Sequence, residues 1–596
     1  MAAILTRRER LALFAVVLIG LLFRILFLIQ FSATPFYRHP TLDARYYHNL
    51  ASNVSKGRLI QERAFFMGPL YPYSVGLLYR LFGEAPIVPR LFQMALGLGC
   101  CLLLYFLGRR LFSSTAGLIA AGLYAVYKPA LFYEQTLLSE TPMAFFCLVL
   151  IFYLIRMDAQ KKAPWFAAGL LIGIAALFRG NILLFAPFLC VWLLMASQKD
   201  KWAKAVFLGA GIAAGVAPAA LHNYLAERDF ILITSNGGFN FFIGNNEQAD
   251  GRFVMPPRVN MEQDPSGLRI AEADLNRASL KSSEVSRYWK NRAMAFIKAH
   301  PARFMKLLFM KIYYFWGHAE IAQIYSLQQM KGIMPILNFP LAGFWLIGPL
   351  SLLSLGMLAW NREKFWGVFL LFAMSYMLSL IPFFMTARYR IPIIPVLCLL
   401  AAGSVESLMR WFRQRRWKEA GSFAVGFAAL WLLLNNTGVL LEKEEGAQFH
   451  NALGLIYKSE GKINDALAQY EKSLQSKKTP YALANLGNLY YDEKKLAEAA
   501  NQYSEALKME PDNARILFNR GQCYLALGLL REAQKDFEQA LVLDERVQPL
   551  AHFNLALIYI KEGKKELAKS SLKRYLDLSP GDKTAKALLT RLASGD

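Results

Sequence analysis

The sequence predicts an all-α protein: a polytopic membrane helix bundle of about eleven crossings, followed by a helical-repeat solenoid. Two observations predict it. Of 596 residues, 55% are hydrophobic and only 18% charged, against about 25% charged in an average chain. The apolar residues gather in runs that approach the roughly 20 residues a spanning helix needs. From about residue 447 this texture ends and a repeat with internal spacings of 33 to 35 residues begins. The composition excludes a disordered chain. A net charge of +24 first suggests nucleic acid. Residues 441–596, however, hold 23 basic and 22 acidic residues, so nearly all the excess lies in the hydrophobic part. The membrane, and not nucleic acid, is its expected partner.

The first run is 11–31, preceded by Arg7, Arg8 and Arg10. It reads as a signal anchor with a cytoplasmic N-terminus, too long for a cleaved signal peptide. Ten more runs follow at about 86–107, 115–131, 141–155, 164–178, 181–196, 204–221, 339–360, 366–384, 391–409 and 421–441. The short basic connectors are Arg109–Arg110, Arg156 to Lys162, Lys199 to Lys204, Arg362–Lys364 and Arg410 to Lys418. With eleven crossings, all five fall on the cytoplasmic side, as the positive-inside rule requires. The run 304–315 is short and interrupted by Lys306 and Lys311, and 68–82 is short and rich in Pro and Tyr. Both read as interfacial helices on the outer face. Two large loops, 32–85 and 222–303, then lie outside, and so does the C-terminus. The expected domains are 1–441 and 447–596. The six cysteines show no metal spacing and no disulfide framework.

In the C-terminal part four units align on Asn451 to Tyr457, Asn485 to Tyr490, Asn519 to Tyr524 and Asn554 to Tyr559. Gly454, Gly487, Gly521 and Ala556 stand 33, 34 and 35 residues apart, and Ala466, Ala499, Ala533 and Ala568 keep that spacing. This is the tetratricopeptide (TPR) period, four repeats with Lys583–Ala593 as a capping helix. Small residues let paired helices approach closely. The groove of such an array binds peptide, and Asn485, Asn488, Asn519, Gln522 and Asn554 are its candidate lining. The same asparagines would equally serve packing between helices.

Chemistry is expected in the membrane part. Asp43 stands beside Tyr46, Tyr47 and His48 just outside the first helix and is a candidate base. Taken alone, capping of a helix starting at Ala44 is its better reading. Glu140 opens a membrane helix at its outer end, with Glu134 close by. Arg179, Arg388 and Arg390 interrupt helices at the same face, with Tyr389 between the last two. Guanidinium forks match phosphate oxygens, although each alone could simply snorkel to lipid head groups. The second outer loop offers Asn240, Asn245 and Asn246 in a Gly-, Asn- and aromatic-rich stretch.

The order Asp43-x-x-Tyr46, Gly68-Pro-Leu-Tyr-Pro72, Leu81-Phe-Gly83, Arg90, Leu111-Phe112, Pro129, Ser139-Glu140, Gly244-Asn-Asn246 and Ala387-Arg-Tyr-Arg-Ile-Pro392 resembles the GT-C superfamily of multi-pass glycosyltransferases, in its bacterial protein-mannosyltransferase-like branch. The likeness covers about residues 1–410. It implies a GT-C-like fold in the inner membrane of a bacterium, with the TPR domain periplasmic. It implies a polyprenyl-phosphate-linked sugar as donor, and transfer with inversion to an acceptor hydroxyl on protein, lipid or glycan. Asp43 matches the acid of the family's first loop, its base; Glu140 matches a second acidic position that orients substrate or, in some members, a divalent metal. Here the first loop carries a lone Asp rather than an acidic pair, which leaves the metal open. The resemblance implies that Arg179, Arg388, Arg390 and Tyr389 face the donor phosphate. Tyr46, Tyr47, His48, Asn240, Asn245 and Asn246 would face substrate, and the TPR groove an acceptor or partner protein. Two other readings stand beside it. A lipid-linked oligosaccharide ligase or polymerase would place essential Arg and His in a late outer loop, and Asp-x-x-Tyr argues against it. A membrane-anchored TPR adaptor would need one anchoring helix, not about eleven.

Overall fold

The computed structural model describes residues 5–195, 199–256, 259, 264–323, 325–360, 366–436, 442–544 and 549–594. Among these the chain is helical, with only two isolated bridges between extended segments, Tyr127 with Ala342 and Arg252 with Met385. It divides into two compact units. One is Met1–Pro256 with Leu280–Leu440, and the other is Pro257–Ser279 with Leu441–Asp596. The expected division at about 441–447 is therefore modified: a piece of the second large loop groups with the repeats. The connector Arg362–Lys364 and the junction 437–441 lie outside the described residues.

The membrane unit contains α1 Arg7–Ser32, α2 Asp43–Ser55, α3 Leu70–Phe82, α4 Ile87–Leu111, α5 Ser114–Ala125, α6 Lys128–Tyr133, α7 Glu140–Arg156, α8 Ala163–Phe178, α9 Phe185–Met195, α10 Lys201–Glu227 and α11 Gly237–Gly244. After α12 Leu268–Asp274, which belongs to the second unit, it continues with α13 Ser282–Ala299, α14 Pro301–Trp316, α15 Leu327–Met330, α16 Phe344–Trp360, α17 Trp366–Leu380, α18 Ile394–Arg413 and α19 Trp417–Leu434. Each of the eleven apolar runs is helical over most of its described residues. Among the described residues four helical stretches are long and apolar enough to cross a membrane: Arg7–Ser32, Ile87–Leu111, Lys201–Glu227 and Ala387–Arg413.

The local chemistry of the helix ends is legible. α1 begins with a capping box in which Thr6 and Glu9 satisfy each other's backbone N–H groups, at 2.9 and 3.2 Å. The expected crossing at 115–131 is divided instead. α5 ends at Ala125, and Lys128, the first residue of α6, donates its N–H to Ala342 (2.9 Å).

Lipid tails are as apolar as leucine, so membrane helices associate through close packing of small residues. α8 and α10 do so through two pairs, Gly169 and Gly173 against Gly211 and Gly215. A Cβ on Gly211 or Gly169 would run into the carbonyl oxygen of Phe166 or Leu208, and one on Gly173 would stand 2.7 Å from that of Ile212. Gly209, two residues earlier and so on the opposite side of α10, faces open space. Gly211→Val is therefore expected to cost at least about 1–3 kcal/mol by overpacking, with Gly209→Val nearly neutral, as read by thermal unfolding in detergent.

The second unit is the TPR domain. Its helices are α20 Glu442–Ser459, α21 Ile463–Ser476, α22 Pro480–Asp492, α23 Leu496–Met509, α24 Ala514–Ala526, α25 Leu530–Asp544, α26 Leu550–Lys561, α27 Lys565–Leu578 and the cap α28 Lys583–Ser594. The small positions do what their spacing implies. Rings of Tyr470, Tyr503 and Phe537 lie against Gly454, Gly487 and Gly521, where a Cβ would come within 2.5, 2.7 and 2.8 Å. In the fourth repeat Ala556 and Leu572 are both fully buried.

Candidate active site

The first-loop acid is not a helix cap. Asp43 is the first residue of α2, Leu42 occupies the cap position, and no side-chain cap bond forms there. Leu42 has φ +49°, ψ −121°, a conformation that β-carbon sterics disfavour. The turn delivers the Asp43 carboxylate to Arg388, which donates from Nη2.

Arg388 is the centre of the arrangement. Its Nε donates to Gln323 Oε1 (3.0 Å), and its Nη1 stands 3.6 Å from Glu140 Oε1. Arg179 Nη1 donates to the same Glu140 oxygen at 3.0 Å. Both guanidiniums lie over the Tyr389 ring, at 4.1 Å for Arg179 and 5.1 Å for Arg388. Four segments distant in sequence thus meet at helix ends: the start of α2, the start of α7, the end of α8 and the turn before α18. Helix ends suit these charges. Glu140 sits in the first turn of α7, where the dipole favours an anion, and Arg179 caps the last turn of α8, where it favours a cation.

Access differs among the four. The side chains of Glu140 and Arg388 are 3% and 5% exposed, those of Asp43 and Arg179 14% and 17%. Asp43 is therefore the carboxylate an entering molecule can reach. Glu140 Oε2 is buried without a hydrogen-bond partner among the described residues, as are the hydroxyls of Tyr71, Thr141 and Thr386. The cluster thus keeps unused polar capacity. Burial raises the Tyr47 phenol above its ordinary range, with the Glu140 and Asp43 carboxylates adding to it. Burial raises Tyr325 as well, with Asp43 adding to it, while Thr41 hydrogen-bonds its hydroxyl. Both phenols stay protonated and can donate.

The other expected site residues are placed differently. Arg390 is committed elsewhere: it donates to the carbonyls of Gly317, Phe315 (3.4 Å) and Ala319 (2.9 Å) and to Glu320 (3.0 Å), and lies 4.2 Å over the Phe344 ring. It holds the segment after α14 and is corrected to an anchor. His48 faces Tyr79 (3.2 Å) and Glu84 (3.5 Å). The Tyr46 hydroxyl accepts from the N–H of Phe66 at 3.3 Å. Asn245 donates to the carbonyls of Phe241 (2.8 Å) and Pro382 (2.7 Å), and its oxygen faces Lys311 Nζ. Asn246 closes the end of α11 on Phe242 and Ile243. These two amides serve the fold and are corrected as substrate contacts. Asn240 lies earlier on α11, its N–H bonded to Asn236.

In the TPR domain, Asn485 donates to Asn451 (3.0 Å) and Asn519 to Asn488 (3.1 Å), so these asparagines link successive repeats. Gln522 and Asn554 are half-buried. The packing alternative accounts for most of the series.

Gln323, Tyr325 and Tyr71 were not foreseen. Gln323 is one amide in an unremarkable stretch, and only the pairing of Ala387 N–H with the Ile321 carbonyl (2.8 Å) brings it beside Arg388. Tyr71 lay in view within the Gly68–Pro72 motif but carried no assigned role.

The two carboxylates of the cluster, Asp43 and Glu140, are engaged by arginines, and no group of three or more His, Cys, Asp or Glu that could hold a metal occurs among the described residues.

The family model described as dolichyl-phosphate-mannose-protein mannosyltransferase matches residues 67–222, and tetratricopeptide models match within 451–582. The chain is 45% identical over 58 residues to Hsp70-Hsp90 organizing protein 3 of Arabidopsis thaliana, covering 10% of each. It is 28% identical over 130 residues to human protein O-mannosyl-transferase TMTC1, covering 22% of this chain and 15% of that protein. The chain thus spans a small fraction of the relatives it matches. An oligosaccharyltransferase from Archaeoglobus fulgidus aligns over 77% of this chain and 59% of its own, at 14% identity and a TM-score of 0.41. The chain joins a part similar, over residues 67–222, to the mannosyltransferase family model with a C-terminal part similar to tetratricopeptide models.

Proposed function

We propose that this chain is an integral-membrane glycosyltransferase. It moves a sugar from a polyprenyl-phosphate donor to an acceptor hydroxyl at the outer face of a bacterial inner membrane, with inversion. The observation that carries this reading is the Arg388 fork, which joins Asp43 to Glu140 beside Arg179. The match of 67–222 to a protein-mannosyltransferase family supports it.

In this reading Asp43 accepts the proton of the acceptor hydroxyl as its oxygen attacks the sugar's anomeric carbon. The bond from that carbon to the phosphate oxygen breaks, and its electron pair leaves with the phosphate. A phosphate needs no general acid to depart, in contrast to the alcohol that a glycosidase releases. Arg388 and Arg179 supply the positive charge that the departing phosphate requires. They stand free of net repulsion beforehand because two carboxylates balance them. Donor phosphate competes with Asp43 for Arg388, so donor binding releases Asp43 to act as base. Tyr47 and Tyr325 are the protonated phenols available to sugar hydroxyls. The TPR domain recruits the acceptor protein or a partner enzyme.

Two observations support an outer placement of the TPR domain. The carbonyl of Leu434, at the end of α19, accepts from the N–H of His318 (3.1 Å), in the segment that also carries Gln323 of the candidate site. Pro257–Ser279 of the outer loop belongs to the TPR unit. A C-terminal tag on spheroplasts is expected to be removed by added protease without lysis; a tag protected until lysis contradicts the topology. The reading itself is tested by mass spectrometry of acceptors incubated with purified protein and synthetic polyprenyl-phosphate sugars.

A further inference from the structure

Six residues before Glu140 lies a second buried pair of charges that transfer chemistry does not use. Arg24 of α1 and Glu134, just after α6, meet at 2.8 Å, and neither side chain is exposed. Arg24 also donates to the Gly20 carbonyl at 3.1 Å. Gly97 of α4 makes the room, since a Cβ there would overlap the Glu134 carboxylate. From Glu134 onward, three successive backbone carbonyls are bonded by side chains of α4. Gln93 donates to Glu134 O (2.9 Å) and Thr136 O (2.6 Å), and Arg90 to Gln135 O (2.7 Å). Arg90 also donates to Tyr37 O (3.2 Å) and lies 4.2 Å over the Tyr37 ring, in the turn that leads from α1 towards Asp43.

Residues 130–144 are all buried, and 134–139 have no regular structure. Buried carbonyls without donors are costly, so the bonds from α4 stabilise the buried path of the segment. The ion pair is not explained in that way. Apolar residues of similar volume often replace a buried pair with no loss of stability. What the pair does supply is a fixed position for the strand of chain that ends in Ser139–Glu140.

We propose that Arg24, Glu134 and Gln93 form a positioning brace that sets where Glu140 stands opposite Asp43, with Arg90 tying the brace to the arm that carries Asp43. This rests on the glycosyltransferase reading of the cluster. The brace touches no substrate. Loosening it widens the spread of Glu140 and, through it, of Arg388 and Arg179. Misplacement by about 1 Å costs up to about 10²-fold in rate.

The test uses the full-length protein in nanodiscs with Arg24→Met and Glu134→Met combined, and separately Gln93→Met, which leaves the charges alone. The double variant is expected to keep the wild-type unfolding temperature within a few degrees, and Gln93→Met, which strips the donor from two buried carbonyls, to fold with a lower one. Both should lose at least about 10-fold in kcat with donor KM within about twofold, and exchange backbone hydrogens faster at 134–139. Wild-type kcat in the folded variants overturns the brace, whatever the exchange shows. Should the double variant fail to fold, Gln93→Met decides alone by the same criteria. A wild-type protein that transfers no sugar from any donor sinks the enzyme reading instead. The exchange measurement still judges the brace in that case, and unchanged protection at 134–139 rejects it.

Discussion

Asp43→Asn is expected to lower sugar transfer by about 10²–10⁴-fold, the usual contribution of a positioned general base. The substitution keeps the shape of the side chain and an oxygen that can accept from Arg388. It removes the charge and the basicity. Arg388 retains Glu140 and Gln323, so the fold should persist, with a melting temperature lowered by several degrees at most. Donor KM should hold or fall, because the phosphate no longer competes with a carboxylate for the guanidinium. This split between kcat and KM distinguishes a base from a residue that merely binds donor. Steady-state kinetics with a labelled donor measures it, and unimpaired kcat in a folded variant removes Asp43 from the chemistry.

Arg388→Lys is expected to be nearly as damaging by a different route. Lysine keeps one positive charge but not the planar fork that reaches Asp43, Glu140 and Gln323 at once. Glu140 keeps Arg179, but Asp43 is left to a single ammonium, and phosphate stabilisation in the transition state is weakened. A loss of about 10²–10³-fold in kcat follows from removing one such donor, accompanied here by a higher donor KM. Arg388→Met should do worse, because removing one partner of a buried pair costs about 3–5 kcal/mol. Arg390 supplies the contrast. Bound to three carbonyls and Glu320, it should behave as a structural residue: Arg390→Lys lowers the melting temperature more than it lowers kcat.

The bundle and the solenoid were legible because both rest on periodic signals. Long apolar runs and a repeat near 34 residues survive without any knowledge of tertiary contacts. The division of 115–131 into two helices was not, since it depends on Lys128 meeting Ala342, more than two hundred residues away. At the site, Asp43, Glu140, Arg179 and Arg388 were visible as charges misplaced for a membrane face. Arg390 looked the same in sequence, and only the carbonyls of 315–319 show it to be an anchor. Gln323 had no signal at all. Asn245 and Asn246 misled for the opposite reason: a motif can be kept for the turn it closes. The brace residues Arg24 and Glu134 sit on different segments 110 positions apart, and nothing local links them.

The most direct measurement is transfer itself, with purified full-length protein, a panel of polyprenyl-phosphate sugars and an acceptor fraction from the native envelope. Wild type and Asp43→Asn are read side by side by mass spectrometry. The account predicts a mass increment of one sugar on an acceptor with wild type and at least one polyprenyl-phosphate donor, lost in Asp43→Asn. Equal transfer by both proteins, or transfer only from a nucleotide-linked sugar, would contradict it.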